Sequence, residues 1–279
     1  MAENKLIYLN NTGYVNDYDP CVNAAILGEF ATAAFRFFHT LIVGFLQYVL
    51  GTDRTVVNSL RLSDWLNRPK PLETYFNELT RGLTTQEMGA SDQYCDDEIT
   101  KFLFRRNKTH GDDLRATDIQ RARDHGLPPY IDMRKACNLT VPKCFEDLHG
   151  YMSKENVAML KNMYYSLEDV DLAVGGSLEL NEKGSLVGPT FLCILIEQCR
   201  RTRTGDRFFY EMGHDPYIRF TLDQLQSIRK ASMARMICDN TDGILKMQPR
   251  AFDVISPKNK LVSCDELPSI DLSLWKEKC

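Results

Sequence analysis

Residues 22–50 constrain the fold of this 279-residue chain more than any other stretch, because they are apolar on nearly every side. Ile26, Leu27, Phe30, Ala33, Ala34, Phe35, Phe37, Phe38, Leu41, Ile42, Phe45 and Leu46 leave little solvent-facing surface at helical spacing, so the segment predicts one helix buried in a large core. Its few polar residues are Glu29, Thr32, Arg36, His39, Thr40 and Gln47, and at helical pitch they fall in a single stripe about 100° wide. A buried polar stripe has to be satisfied by something. One reading is a hydrogen-bonded core histidine beside a buried ion pair. The other is that His39 ligates a cofactor while Arg36, one turn away, faces an anionic part of it.

A second polar concentration runs from Arg115 through Thr117, Asp118, Arg121, Arg123, Asp124 and His125 to Gly126, closed by Pro128 and Pro129. Thr117 or Asp118 can cap a short helical turn that Gly126 ends. Such a cluster reads either as a capped surface turn laced with weak ion pairs or as arginine forks for carboxylates with an Asp that orients an imidazole. Elsewhere, amphipathic helical stretches are expected near 72–82, 95–105, 154–166, 187–202 and 222–236. Gly111-Asp112-Asp113, Pro128-Pro129 and Gly175-Gly176-Ser177 read as turns between them, and Arg200, Arg201 and Arg203 as the basic last turn of the preceding helix. No linker or repeat divides the chain, which indicates one mostly α domain over residues 1–279.

A net charge of -4 gives no basic field for nucleic acid or an anionic membrane, and the longest uncharged apolar stretch, Thr40 to Thr52, is too short to span a bilayer. Nine cysteines and N-x-[ST] sequons at Asn10, Asn107 and Asn138 favour an oxidising, secreted setting, although residues 1–25 show no signal peptide. The sequence has no HExxH, CxxC pair, P-loop, GxGxxG or GxSxG signature.

The string from Glu29 through Phe35-Arg36-Phe37-Phe38-His39 to Leu41 and the string Asp118-Ile-Gln-Arg-Ala-Arg-Asp-His-Gly-Leu-Pro-Pro-Tyr130 occur here in that order. Val187-Gly-Pro, Gly205-Asp-Arg-Phe-Phe-Tyr-Glu211, Ile237-Cys-Asp-Asn-Thr241 and Cys264-Asp-Glu-Leu-Pro with Trp275 follow them. Together these strings, from about residue 13 to the end, resemble the animal haem peroxidases, the family of myeloperoxidase, peroxinectin and insect chorion peroxidases. The resemblance implies a mainly α, peroxidase-like helical domain that oxidises small donors with hydrogen peroxide, using haem b. It places His39 where the family's proximal histidine binds the iron and Asp118 where the partner of that histidine's other nitrogen stands. Arg36 and Arg121 match residues that meet the haem propionates. It also pairs Cys137 with Cys193 and Cys238 with Cys264. Cys21 with Cys95 is a looser expectation, and Cys144, Cys199 and Cys279 are left without partners. Glycosylation is expected at Asn107 and Asn138.

Two departures stand out. Phe38 precedes the proximal histidine where relatives typically have Gly, and the family's distal histidine, calcium loop, catalytic arginine and haem-esterifying carboxylates have no counterpart before His39. The expectation is therefore the proximal, C-terminal part of a peroxidase domain, with an N-terminal peroxidase segment as its missing partner. Alone it would be a poor catalyst exposing apolar surface around 22–50. The alternative is a non-catalytic, peroxidase-like haem-binding or adhesion module.

Overall fold

The computed structural model describes residues 13–51 and 53–277. The chain is mostly helical, as expected, but the apolar segment near its start is not one helix. It begins with a single α-helical stretch, α1 (Gly28–Thr32), continues as a 3₁₀ helix over Ala34–Leu41, and then enters an antiparallel hairpin of β1 (Phe45–Leu50) and β2 (Thr55–Arg61). The break falls at Ala33, whose φ of -130° and ψ of -73° leave the helical region. Beyond Leu41 the sequence Ile42-Val43-Gly44-Phe45 and the later Tyr48-Val49 favour a pleated, half-buried surface over a helix. Helical propensity is thus overridden by β-branched and aromatic residues that find pairing partners in β2, Phe45 with Arg61, Tyr48 with Asn58 and Val49 with Val56.

After the hairpin come α2 (Leu62–Trp65), α3 (Lys70–Leu83) and the short α4 (Asp97–Thr100). The helix expected over 95–105 is confined to that single turn, because Asp96 caps it and the chain beyond folds back into a loop. Then follow α5 (Leu114–Asp124), α6 (Tyr130–Ala136), α7 (Lys154–Met163), α8 (Leu172–Leu178) and α9 (Pro189–Gly205). The stretch expected as one helix over 222–236 is split into α10 (Leu222–Ile228) and α11 (Met233–Asp239), with Ser232 capping the second. A small pair, β3 (Lys246–Met247) and β4 (Val262–Ser263), lies near the end of the chain.

The central core joins α1, the 3₁₀ helix, α5, α8 and α9 through Ala33, Ala34, Phe37, Ala122, Leu172, Phe191 and Ile194. Gly175-Gly176-Ser177 is not a turn but the middle of α8. A Cβ on Gly175 would lie 2.3 Å from the Tyr130 ring of α6, and one on Gly176 would lie 2.1 Å from the Phe191 ring of α9. The two glycines let aromatic faces of two neighbouring helices touch the α8 backbone, which explains their helix-unfavourable presence. Tyr130, Arg134, Glu179 and Thr190 form a fully buried polar cluster beside this contact. Glu179 pairs with Arg134, accepts from the Tyr130 hydroxyl at 2.8 Å and accepts from the Thr190 amide at 2.8 Å. Near the first described residues, Arg203 of α9 pairs with Asp17 and Glu211, and Arg229 also reaches Glu211.

Apolar surface remains open around 22–50: Ile26, Phe35, Phe38 and Phe45 are each more than two fifths exposed. Among the described residues no helix is long and apolar enough to cross a membrane.

Two outcomes follow from this packing. Gly176→Ala should lower unfolding free energy by about 1–3 kcal/mol, since the added methyl overpacks Phe191; urea denaturation measures it. Glu179→Gln should cost roughly 3–5 kcal/mol in the same assay, because the buried Arg134 guanidinium loses its counter-charge.

Candidate functional site

The 3₁₀ geometry of Ala34–Leu41 places the candidate residues. At three residues per turn, side chains at i and i+3 eclipse. Ala34, Phe37 and Thr40 accordingly form the buried ridge. Arg36 and His39 share the second side, half-buried, and Phe35 and Phe38 share the third, exposed. The polar stripe read from the sequence is real, but its period is three. Phe38, the unexpected neighbour of His39, points its ring to the surface. Its ring stacks on Phe37 at 4.2 Å between centroids and meets Phe35 edge-on at 4.9 Å.

Opposite this helix, α5 carries Asp118 at its centre, fully buried. The N-cap is Asp113, which accepts from the amides of Arg115 and Ala116, so neither Thr117 nor Asp118 is the cap. Gly126, at φ +62°, closes the helix as expected. Freed from capping, the Asp118 carboxylate points at the 3₁₀ helix, and His39 Nδ1 lies 2.6 Å from its Oδ2. A carboxylate accepts, so Nδ1 donates and the Nε2 lone pair remains for another partner. Among the described residues Nε2 has no hydrogen-bond partner. An imidazole that donates one N–H to a carboxylate is held in orientation and keeps its other nitrogen able to accept.

Two arginines supply the buried carboxylate with opposite charge. Arg121 Nη1 lies 3.4 Å from Oδ1, and Arg115 Nη1 lies 3.4 Å from Oδ2. They stand three residues on either side of Asp118, which is the spacing that shares a helix face. Arg115 was visible in the sequence only as one charge among many. Its position is fixed by Ser177 of α8, which accepts from Nη2 at 2.9 Å. Arg36 donates from Nε to the Ala31 carbonyl at 2.9 Å, and its guanidinium has no acidic partner among the described residues. The structure thus brings His39, Asp118 and Arg121 into direct contact and sets Arg36 one 3₁₀ turn from His39.

Cys137 is joined to Cys193 and Cys238 to Cys264. The looser pairing of Cys21 with Cys95 is incorrect, since both are free thiols. Cys21 lies in a turn tied to the end of α9, where Asp19 N donates to Thr204 O. Cys95 precedes the α4 cap and sits near Arg115 and Asp118, and burial pushes its thiol pKa up. Cys144 and Cys199 are also free and exposed. Asn107 and Asn138 are exposed in turns, while Asn10 and Cys279 lie outside the described residues.

The animal haem peroxidase family model matches residues 1–252. A peroxidase of Drosophila melanogaster is 50% identical over 278 residues, covering 99% of this chain and 40% of the relative. A human peroxidasin homolog is 37% identical over 277 residues, covering 97% of this chain and 18% of its own length. The chain therefore spans well under half the length of these relatives. Among solved structures, peroxidase A from Dictyostelium discoideum aligns with a TM-score of 0.74 at 33% identity, over 86% of this chain and 45% of that one. A fatty acid alpha-dioxygenase of Arabidopsis thaliana shares the fold, with a TM-score of 0.62 at 21% identity over 86% of this chain and 40% of that one. Motif order, helical architecture and these matches agree, and the chain belongs to the animal haem peroxidase family.

Proposed function

We propose that this chain forms the histidine-ligand side of a haem peroxidase that oxidises a small reducing donor with hydrogen peroxide. The observation that carries the proposal is the 2.6 Å contact between His39 Nδ1 and the buried Asp118 carboxylate, with Nε2 left open. The residues present fit haem b: one open imidazole nitrogen for iron, half-buried Arg36 and Arg121 for two carboxylates, and the exposed rings of Phe35 and Phe38 for an apolar macrocycle. Haem bound here would supply the redox chemistry between peroxide and donor.

The protein's own part is to hold and tune. Asp118 takes a hydrogen bond from Nδ1–H and so raises the basicity of the ligating imidazole. Burial of Asp118 keeps water from competing for that bond, and Arg115 and Arg121 oppose its charge from both sides. Arg36 is anchored at Nε, which leaves its terminal nitrogens to bind a carboxylate. Peroxide activation also needs an acid–base group, commonly worth about 10²–10⁴-fold. We assign that group to a further part of the peroxidase domain outside residues 1–279. Two disulfides and the exposed sequons Asn107 and Asn138 support an extracellular, glycosylated protein.

His39→Ala should abolish the Soret shift of bound haem, with free imidazole restoring it; haem titration checks this, and unchanged affinity would remove His39 from the ligand role. Asp118→Asn should weaken haem binding about 10–100-fold and raise the Fe(III)/Fe(II) potential, since a less basic imidazole favours the ferric state less. Spectroelectrochemistry gives the sign, and a fall in potential would contradict the assignment. Peroxide-dependent oxidation of a phenolic donor by haem-loaded protein joined to an upstream peroxidase segment tests the activity itself.

A further inference from the structure

Away from His39, the hairpin and the helices that follow it leave two cavities of opposite character. The first, about 420 Å³, lies between β1–β2, α2 and α3 and is mainly apolar, lined by Leu46, Leu60, Trp65, Leu72 and Leu79 with Arg68 as its one charged residue. The second, about 520 Å³, is bounded by the loop that follows α4 and carries Arg105, Arg106, Lys108 and His110 against the single acid Asp112. Asn67 is a wall common to both. Each volume is in the range of small-molecule sites. None of His39, Arg36, Asp118 or Arg121 lines either one.

The basic half is preformed. Its loop is closed at the base by Gly111 N donating to Lys101 O at 2.7 Å and Asp112 N donating to Leu103 O at 2.8 Å. Asn67, Phe104 and Arg106, all at its walls, have φ values of 59°, 52° and 53°. Left-handed backbone at a phenylalanine and an arginine costs free energy that the surroundings must impose, and such strain gathers at ligand clamps. Arg105 is held by Asp64 and by the Phe102 ring, 5.3 Å from its guanidinium carbon, yet its Nε is buried without a hydrogen-bond partner. Among the described residues Arg106 and Lys108 have no acidic partner. Arg106 and Lys108 therefore present unpaired positive charge beside an apolar trough, while Arg105 is neutralised by Asp64.

We propose that this trough binds a long-chain carboxylate, with the hydrocarbon chain along Leu60, Trp65 and Leu72 and the head group at Arg106 and Lys108. Complementarity chooses the occupant: an apolar chain buries surface against leucines and tryptophan, and a guanidinium fork matches a carboxylate. A purely apolar guest would leave Arg106 and Lys108 unanswered, and a small anion would leave the trough empty.

The chain contains two tryptophans, and Trp275 packs instead against Phe220, so Trp275→Phe leaves Trp65 as the reporter. The test uses the full chain in its secreted form, with any glycan at Asn107 left in place. Dodecanoate brominated on its chain should quench Trp65 saturably, and acetate should not displace it. Arg106→Glu with Lys108→Glu, both exposed side chains, should weaken dodecanoate at least tenfold while leaving dodecanol unchanged. Leu72→Glu, also exposed, should weaken both ligands, with far-UV circular dichroism confirming that each variant is folded. Absence of quenching would overturn the proposal. Equal affinity for dodecanoate and dodecanol, or indifference to the charge reversal, would equally overturn it by reducing the site to a greasy groove.

Discussion

The close approach of α8 to its neighbours is the constraint on which the site rests. This seven-residue helix touches α5, α6, α9 and the 3₁₀ helix. Gly175 admits the Tyr130 ring, Gly176 admits the Phe191 ring, and Ser177 holds Arg115 beside Asp118. Three consecutive residues thus set the distance to α6, the distance to α9 and the orientation of an arginine on α5. A hydrogen bond between residues 79 positions apart in sequence, such as His39 to Asp118, tolerates little displacement of either helix. The interior around it transmits strain because it is close-packed, so a methyl group at α8 would be felt at the imidazole.

Polar groups buried in this domain serve two different ends. The Tyr130–Arg134–Glu179–Thr190 cluster is saturated: Glu179 accepts from Tyr130, Arg134 and both the amide and hydroxyl of Thr190. Its geometry is closed, and it joins α6 to the start of α9. The Asp118 cluster, built around a histidine, stays open at one atom, His39 Nε2. A fully satisfied network rigidifies, whereas one with a single directed vacancy can bind.

Much of this was legible in the sequence, and the misses have physical causes. His39 and Arg36 stood out because charge is rare in apolar surroundings, Asp118 and Arg121 because they lie in a dense charged cluster, and all four because their strings match a family. Helical periodicity could not distinguish 3.6 from 3.0 residues per turn over eight residues, so the 3₁₀ helix was read as part of one long α-helix. The apolar run hid the switch at Gly44, since a buried strand and a buried helix have the same hydrophobic content. Gly175-Gly176 carried a turn signal because propensity knows nothing of the aromatic rings across the interface. Asp118 looked like a cap, but Asp113, five residues earlier, had the better claim. Arg115 could not be singled out, because what selects it is Ser177, 62 residues away.

The 3₁₀ helix has a consequence for how the domain can vary. With one residue per third of a turn, Ala34–Phe37–Thr40, Arg36–His39 and Phe35–Phe38 form three tracks, joined where Phe38 stacks on Phe37. Substitutions at Phe35 reach the core through Phe30, whereas those at Phe38 are felt by Phe37, on which its ring stacks. Gaining or losing a single residue between Ala33 and His39 advances every later side chain by about 120°, turning the imidazole from Asp118 towards either the core or solvent. The segment is intolerant of a change in length.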